Sequence, residues 1–542
     1  MTSMIDISNR RIGQRRSLLT NATNLCGQRL TLLVVLAIFG GLPPDTLAEA
    51  DAGPRVETSE GTLLGLNREA SRVFLGIRYA AAPTGEHRWQ PPQGITPWSG
   101  VRQARAFGPA CPQPVGFDYM IPDDQPPRED CLTLNVSTPV GATDLPVLVM
   151  IHGGGFASGS GEYIFATAPV LNAEDVILVT LNYRLGSLGI FAHPKLDGDR
   201  GVNFALMDMV AALRWVQRNI AAFGGDSDRV TIIGVSAGAM AVNLLMASPD
   251  AAGLIAGGIA QSGYGTWQRQ PRTRNVPSLE NAPSAEAMAI ELGARITAKP
   301  ANQVSREDLY AVTAEQWANS VEGFHAPAVD GISLPEESAI LFAQGKQHPV
   351  PYISGGTSFD GSVFGISGVS TKTLLEMTEG REQQMRELWA EDFAVSEDQG
   401  LSRFFGDLRY VYSARNMTRS MAQLGRAGYL YMFEYLAPKQ RGKVPGAAHG
   451  ADQETMWTKF DLPVAAAMRD YWINFVKTGD PNGAGLPLWP RAGGSETTHW
   501  MVFADGVVQK DDIQAEKMAF IDQLWRERVA GLLTPIPADY RN

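Results

Sequence analysis

The chain has little cysteine, little histidine, no excess of positive charge and no long apolar run. Three cysteines in 542 residues cannot build a disulfide scaffold or a thiolate-metal cluster. A net charge of −11 excludes a broad basic surface for nucleic acid. No apolar stretch reaches the length of about 18 residues that a membrane-spanning helix needs. Charged residues make up 19% and apolar residues 44%, too apolar for a disordered chain, so a large soluble fold is expected. No internal repeat or low-complexity block is present.

The first 50 residues have their own character. Arg10, Arg11, Arg15, Arg16 and Arg29 precede a short apolar stretch from Leu30 to Leu42, and Ala48-Glu49-Ala50 follows. A basic region, an apolar core and an A-x-A site describe a secretory signal peptide, with cleavage expected after Ala50. The competing reading is a single membrane anchor, which the short core and its Gly40, Gly41, Pro43 and Pro44 oppose. Arg15-Arg16-Ser17-Leu18-Leu19 resembles a twin-arginine export motif but lies far from the apolar core. Residues 51–542 are then one exported domain, periplasmic or secreted. Cys26 is lost with the leader. Cys111 and Cys131 remain, and an even pair in an oxidising compartment favours a disulfide.

From Leu145 to about Ser262 the chain alternates strand and helix signals. Val147–Ile151, Val176–Leu181 and Val230–Ile233 are short unbroken apolar runs, as expected of parallel strands buried on both faces. Leu206, Val210, Leu213, Val216 and Ile220 recur at helical spacing between the last two. The order strand, helix, strand predicts an α/β fold with a mainly parallel sheet. Residues 265–345 and 380–440 carry helical pieces and no evident strand, and read as helical insertions. A further helix is expected over 464–477, its stripe of Val464, Met468, Tyr471, Trp472 and Phe475 turned to the core.

Gly234-Val235-Ser236-Ala237-Gly238 carries the sharpest chemical signal. It follows a predicted strand and precedes a helix-compatible run from Ala239 to Met246. That is the context of a nucleophile elbow, which exposes Ser236 on a tight strand-to-helix turn. His152-Gly153-Gly154-Gly155 follows the strand at Val147–Ile151. Consecutive glycines let backbone N–H groups converge, so Gly154 and Gly155, with Ala237, are candidate oxyanion donors. No Gly-Lys-Ser/Thr follows, which disfavours a phosphate loop.

A serine hydroxyl needs a base. The seven histidines are His87, His152, His193, His325, His348, His449 and His499. The chain order Ser, acid, His leaves His325, His348, His449 and His499. His449 lies in the small-residue loop Gly446-Ala447-Ala448-His449-Gly450 and is the favoured base. Asp360, after the short run Val350–Ser354, is the favoured acid, with Asp330 as its rival. Either aspartate also fits a plain turn before glycine.

Beyond these motifs, the chain resembles the type-B carboxylesterases, a family of α/β-hydrolases, over most of residues 54–540. The resemblance rests on Phe74-Leu75-Gly76-Ile77-Arg78-Tyr79-Ala80, Glu129-Asp130-Cys131-Leu132-Thr133-Leu134-Asn135-Val136, Asn182-Tyr183-Arg184-Leu185-Gly186, Gln261-Ser262-Gly263 and Gly479-Asp480-Pro481-Asn482. It implies an α/β-hydrolase fold and an ester hydrolase with nucleophile Ser236, base His449 and oxyanion donors Gly154, Gly155 and Ala237. It also implies the Cys111–Cys131 disulfide, a small-molecule ester substrate, and no metal or organic cofactor. The family's acid is most often Glu, whereas the matching position here is Asp360. The stretch Asn203–Met209 also departs from the family, which usually has Gly and Gln there.

Two other functional classes remain to be tested. One is a catalytically silent binding module on the same fold. The other is an enzyme of this fold acting on lipids, thioesters, carbamates or amides. Trp267, Phe324, Phe364, Phe404 and Trp457 are candidate pocket-lining residues, with core packing as their alternative role.

Overall fold

In the computed structural model, residues 53–115, 126–196, 201–267, 270–274, 276, 284–493 and 497–533 are described. The leader expected over 1–50, with Cys26, lies outside them. A small sheet joins β1 (Arg55–Glu57), β2 (Thr62–Leu64) and β5 (Val101–Gln103). The large sheet begins with β3 (Leu66–Arg68), β4 (Ser71–Arg78), β6 (Thr133–Pro139), β7 (Leu145–Ile151) and β8 (Ile177–Leu181). It continues with β9 (Gly225–Val235), β10 (Gly257–Gln261), β11 (Tyr352–Thr357), β12 (Gly428–Phe433), β13 (His499–Phe503) and β14 (Val507–Asp511).

The strand order across the large sheet is β14-β13-β12-β11-β10-β9-β7-β8-β6-β4-β3. From β8 through β7 to β13 every neighbouring pair is parallel, and antiparallel strands finish both sides. The expected α/β-hydrolase sheet is present.

The continuous apolar runs are explained by two cores. Along β7, Val147, Val149 and Ile151 join one core, while Leu148 and Met150 join the other. Successive side chains of a strand leave opposite faces, so a strand covered on both sides has to be apolar throughout. Helix Phe204–Asn219 covers the first face with Leu206, Val210, Leu213 and Val216. Helix Pro463–Thr478 covers the second with Val464, Met468, Tyr471, Trp472 and Phe475. Both aromatic and aliphatic stripes are therefore core packing, as expected.

Residues 265–345 supply helices Ala285–Thr297, Arg306–Ala311, Ala314–Asn319 and Ser338–Ala343. The reading of 380–440 as wholly helical needs correction. It contains β12, which sits inside the parallel sheet between β11 and β13. Its sequence, Gly-Tyr-Leu-Tyr-Met-Phe, has no alternation because all six residues are buried.

Cys111 and Cys131 are disulfide-bonded and buried. Asn203 is fully buried and gives its side-chain amide to the Ala328 carbonyl (2.7 Å) and the Ser333 hydroxyl (2.9 Å). Asn135, in an N-x-S/T sequon, is also buried, donating to Thr180 Oγ1 and accepting from the Gly76 N–H. Among the described residues no helix is long and apolar enough to cross a membrane.

Candidate active site

The predicted site residues all follow the C-terminal ends of parallel strands. His152-Gly153-Gly154-Gly155 leaves β7, Ser236 leaves β9, Asp360 follows β11, and His449 follows β12. Parallel strands point the same way, so four segments far apart in sequence open onto one edge of the sheet.

The Gly-x-Ser-x-Gly turn is built by close backbone approach. Ser236 has φ +58° and ψ −121°, a strained conformation for a residue with a Cβ. A Cβ on Gly238 would lie 2.2 Å from the Ile151 carbonyl oxygen, and one on Gly234 would lie 2.3 Å from the Gly238 carbonyl carbon. Both positions exclude any side chain. Helix Ala237–Ala247 starts immediately after the serine. The Ser236 N–H donates to the Gln261 carbonyl at the end of β10 (2.9 Å), which pins the turn to the neighbouring strand.

The glycine loop lies against this turn. A Cβ on Gly153 would come 3.4 Å from the Ser236 Cβ. The carbonyl of Gly154 is occupied by the N–H groups of Ala157 and Ser158, each at 3.0 Å, and that of Gly155 by the His325 N–H at 2.7 Å. With their carbonyls tied down, the N–H groups of Gly154, Gly155 and Ala237 donate to no other group among the described residues. Gly155 has φ +63°, and a Cβ there would meet the Phe324 ring at 2.5 Å. His152 anchors the loop from below. It is buried, stacks on Tyr183 with ring centroids 4.2 Å apart, and its carbonyl accepts from the Tyr183 hydroxyl (2.8 Å). Burial pushes its imidazole down to about 4, so it is neutral at ordinary pH.

His449 and Asp360 meet. His449 Nδ1 lies 2.7 Å from Asp360 Oδ1. The other carboxylate oxygen accepts from the Thr357 N–H (2.8 Å) and the Ser262 hydroxyl (3.1 Å). The Ser362 hydroxyl accepts from the His449 N–H at 2.9 Å. Tyr410 covers the imidazole, with ring centroids 4.7 Å apart. His449 Nε2 is buried and has no hydrogen-bond partner.

Of the rivals, His325 borders the site through its N–H on the Gly155 carbonyl, and the others stand elsewhere. Asp330 accepts from the N–H groups of Val202 (3.0 Å), Ile332 and Leu334 (2.9 Å each), so it organises a turn. His348 is tied to the Ser248 carbonyl, and His499 pairs with Asp511 on the outer strands. Of the candidate lining residues, Trp267, Phe324 and Phe364 gather around Phe405 and Arg409. Phe404 packs on Trp389, and Trp457 lies in a core cluster.

Residues 52–521 match the family profile described as the Carboxylesterase family. The chain belongs to the carboxylesterase family. Bovine carboxylesterase 4A is 30% identical over 522 residues, covering 86% of this chain and 93% of that one. A fumonisin B1 esterase of Sphingopyxis macrogoltabida is 30% identical over 470 residues, covering 80% and 84%. Among solved structures, a PNB esterase superposes with a TM-score of 0.75 at 27% identity, covering 87% of this chain and 99% of that chain. The carboxylesterase of Geobacillus stearothermophilus gives 0.70 at 30% identity, covering 86% and 99%. The protein is thus a carboxylic ester hydrolase on the α/β-hydrolase fold.

Several residues around this carboxylesterase's candidate site carry no signal of their own in the sequence. Ser262 was quoted only within a motif, yet its hydroxyl holds Asp360. Asp452, on helix Ala451–Thr458, is fully buried and accepts from the Tyr431 hydroxyl (2.5 Å) and Gln261 Nε2 (3.2 Å). Burial pushes the Asp452 carboxyl up, the Tyr431 bond opposes this, and the Asp360 charge adds to it. Arg409 carried no signal at all, because nothing local marks a buried arginine.

Proposed function

We propose that this carboxylesterase works through Ser236, His449 and Asp360 by way of an acyl-enzyme. Ser236 Oγ attacks the ester carbonyl carbon while His449 Nε2 takes its proton. The tetrahedral oxyanion is held by the N–H groups of Gly154, Gly155 and Ala237. His449 returns the proton to the alcohol as the C–O bond breaks. Water, deprotonated by the same imidazole, attacks the acyl-enzyme and frees the acid and Ser236. Asp360 keeps the Nδ1 proton in place and stabilises the imidazolium.

The observation that carries this reading is the state of His449. One ring nitrogen is fixed by Asp360 at 2.7 Å, and the other is buried without a partner. That arrangement fixes the tautomer and leaves Nε2 as the proton acceptor. The unused N–H groups on the glycine loop and at Ala237 supply the complementary donors.

The same reading has the chain exported and its leader removed near Ala50. The buried Cys111–Cys131 bridge supports an oxidising compartment. An intact-mass measurement on protein recovered from the periplasm or medium tests the cleavage site.

The activity is tested with p-nitrophenyl acetate and butyrate. Wild type is expected to hydrolyse them, and Ser236→Ala to lose on the order of 10⁶ in turnover. A fluorophosphonate is expected to label wild type and not Ser236→Ala. Folded wild type that neither turns over nor is labelled would overturn the reading.

A further inference from the structure

Arginine seldom enters a protein interior without a carboxylate. Among the described residues four arginines are buried: Arg88, Arg184, Arg272 and Arg409. Arg88 pairs with Glu129 at 2.7 Å, Arg184 with Asp208 at 2.7 Å, and Arg272 with Glu337 at 3.2 Å. Arg409 is 3% exposed and has no carboxylate partner among the described residues. Its Nε is fully buried with no hydrogen-bond partner.

Aromatic rings surround this cation instead. Arg409 Cζ lies 4.0 Å from the Tyr264 ring centroid and 4.3 Å from that of Trp267. Phe405, Tyr410 and Phe324 follow at 5.6, 5.8 and 6.0 Å. Ring faces offset part of the cost of burying the charge, and the Tyr410 hydroxyl interacts with the guanidinium, but a neutral phenol does not balance its charge as a carboxylate would.

The cage also borders the reacting centre. Tyr410 is the ring that covers His449, and Phe324 is the ring that packs on Gly155. The cation is therefore one ring away from the imidazole and one ring away from the glycine loop. It sits in a π-helical turn, Asp407–Val411, between helices Glu397–Gly406 and Tyr412–Gln423. Such turns bulge a helix locally and recur at functional sites.

We propose that Arg409 is a substrate-recognition residue, and that the preferred ester carries a free carboxylate a few bonds from the scissile carbonyl. The carboxylate accepts from the guanidinium, supplying the anion that the fold leaves out, while the aromatic rings pack on the connecting methylenes. A net charge of −11 repels anions from the surface at long range, so a carboxylated ester needs a local cation of this kind. The proposal rests on the esterase reading for its placement beside His449.

The test compares esters matched in size. Monomethyl glutarate against methyl valerate places the carboxylate on the acid side. Butyryloxypropanoate against butyl butyrate places it on the alcohol side. Hydrolysis is followed by pH-stat for wild type, Arg409→Gln and Arg409→Lys. One charged ester is expected to be favoured by wild type. Its kcat/KM relative to its neutral partner should fall by roughly 10- to 100-fold in Arg409→Gln, the size of one charge-assisted hydrogen-bonded contact, with Arg409→Lys in between. A second readout is independent of turnover: free glutarate should raise the melting temperature of wild type and not of Arg409→Gln.

Hydrolysis of the neutral esters with no charge discrimination, and no effect of glutarate, would overturn the recognition role and leave the esterase reading intact. Binding of glutarate through Arg409 in a protein that hydrolyses no ester would keep the anion site and sink the esterase reading. An equal loss on charged and neutral esters in both variants, with a lowered melting temperature, would assign Arg409 a packing role only and overturn the proposal.

Discussion

The Asp360 carboxylate is divided between two tasks: Oδ1 meets His449 Nδ1 at 2.7 Å, and Oδ2 accepts from the Thr357 N–H and the Ser262 hydroxyl. The two contacts on Oδ2 keep the carboxylate from rotating away from the imidazole. Asp360 is 2% exposed, so water competes little for these bonds. The end of its own strand, at Thr357, supplies one of these donors.

Asp360→Asn should preserve the fold and lower kcat by about 10³–10⁴, with a much smaller change in KM. The amide can still fill the space, but it would present an N–H where His449 Nδ1 needs an acceptor. Steady-state kinetics on p-nitrophenyl butyrate reads the split. A loss of less than about tenfold would remove Asp360 from its proposed role.

The serine turn should tolerate no side chain at its glycines. Gly238→Ala would push a methyl group to 2.2 Å from the Ile151 carbonyl oxygen, which only backbone movement can relieve. A destabilisation of about 3 kcal/mol or more is expected, read as a lower urea midpoint. Gly94→Ala, where an added Cβ meets nothing within 4 Å, is the control and should leave the midpoint unchanged.

Replacing both Cys111 and Cys131 by Ser should cost about 3 kcal/mol through the entropy of the opened loop, whose ends are 20 residues apart. Denaturation with and without a reductant should reproduce the same loss in wild type and none in the double variant. The Asp360–His449 pair is held by Thr357, Ser262 and Ser362 and not by the bridge, so the folded double variant should keep its kcat.

The buried His152 sets an acid-side dependence of stability. Its folded-state value of about 4 lies below the ordinary 6.5, because burial disfavours the charged ring. Between these values the unfolded chain binds more protons than the folded one, so stability falls as pH drops from 6.5 toward 4. Above 6.5 the contribution is fully present. Urea midpoints at pH 7 and pH 5 should therefore differ more in wild type than in His152→Gln. The slope with pH is the readout, since the substitution lowers the absolute midpoint as well.

Sequence alone determined the parts of this protein that are local in the chain. The α/β class followed from apolar runs that only a doubly covered strand demands. The Ser236 turn and the glycine loop followed from backbone geometry that glycine alone permits. The scarcity of cysteine and the negative net charge excluded a thiolate-metal cluster and a broad basic surface. The choice between Asp360 and Asp330 was not local, because both are aspartates before glycine. Which of them meets His449 depends on strand order, which sets β11 beside β12 and so brings Asp360 to His449. β12 itself was hidden in a segment of helical character, since a fully buried six-residue run has no period to read. Ser262, Asp452 and Arg409 became visible only when their neighbours did. A hydroxyl, a carboxyl or a guanidinium has no function by itself. Burial and the identity of the partner, or the lack of one, fix what it does, and both are properties of the packed sheet.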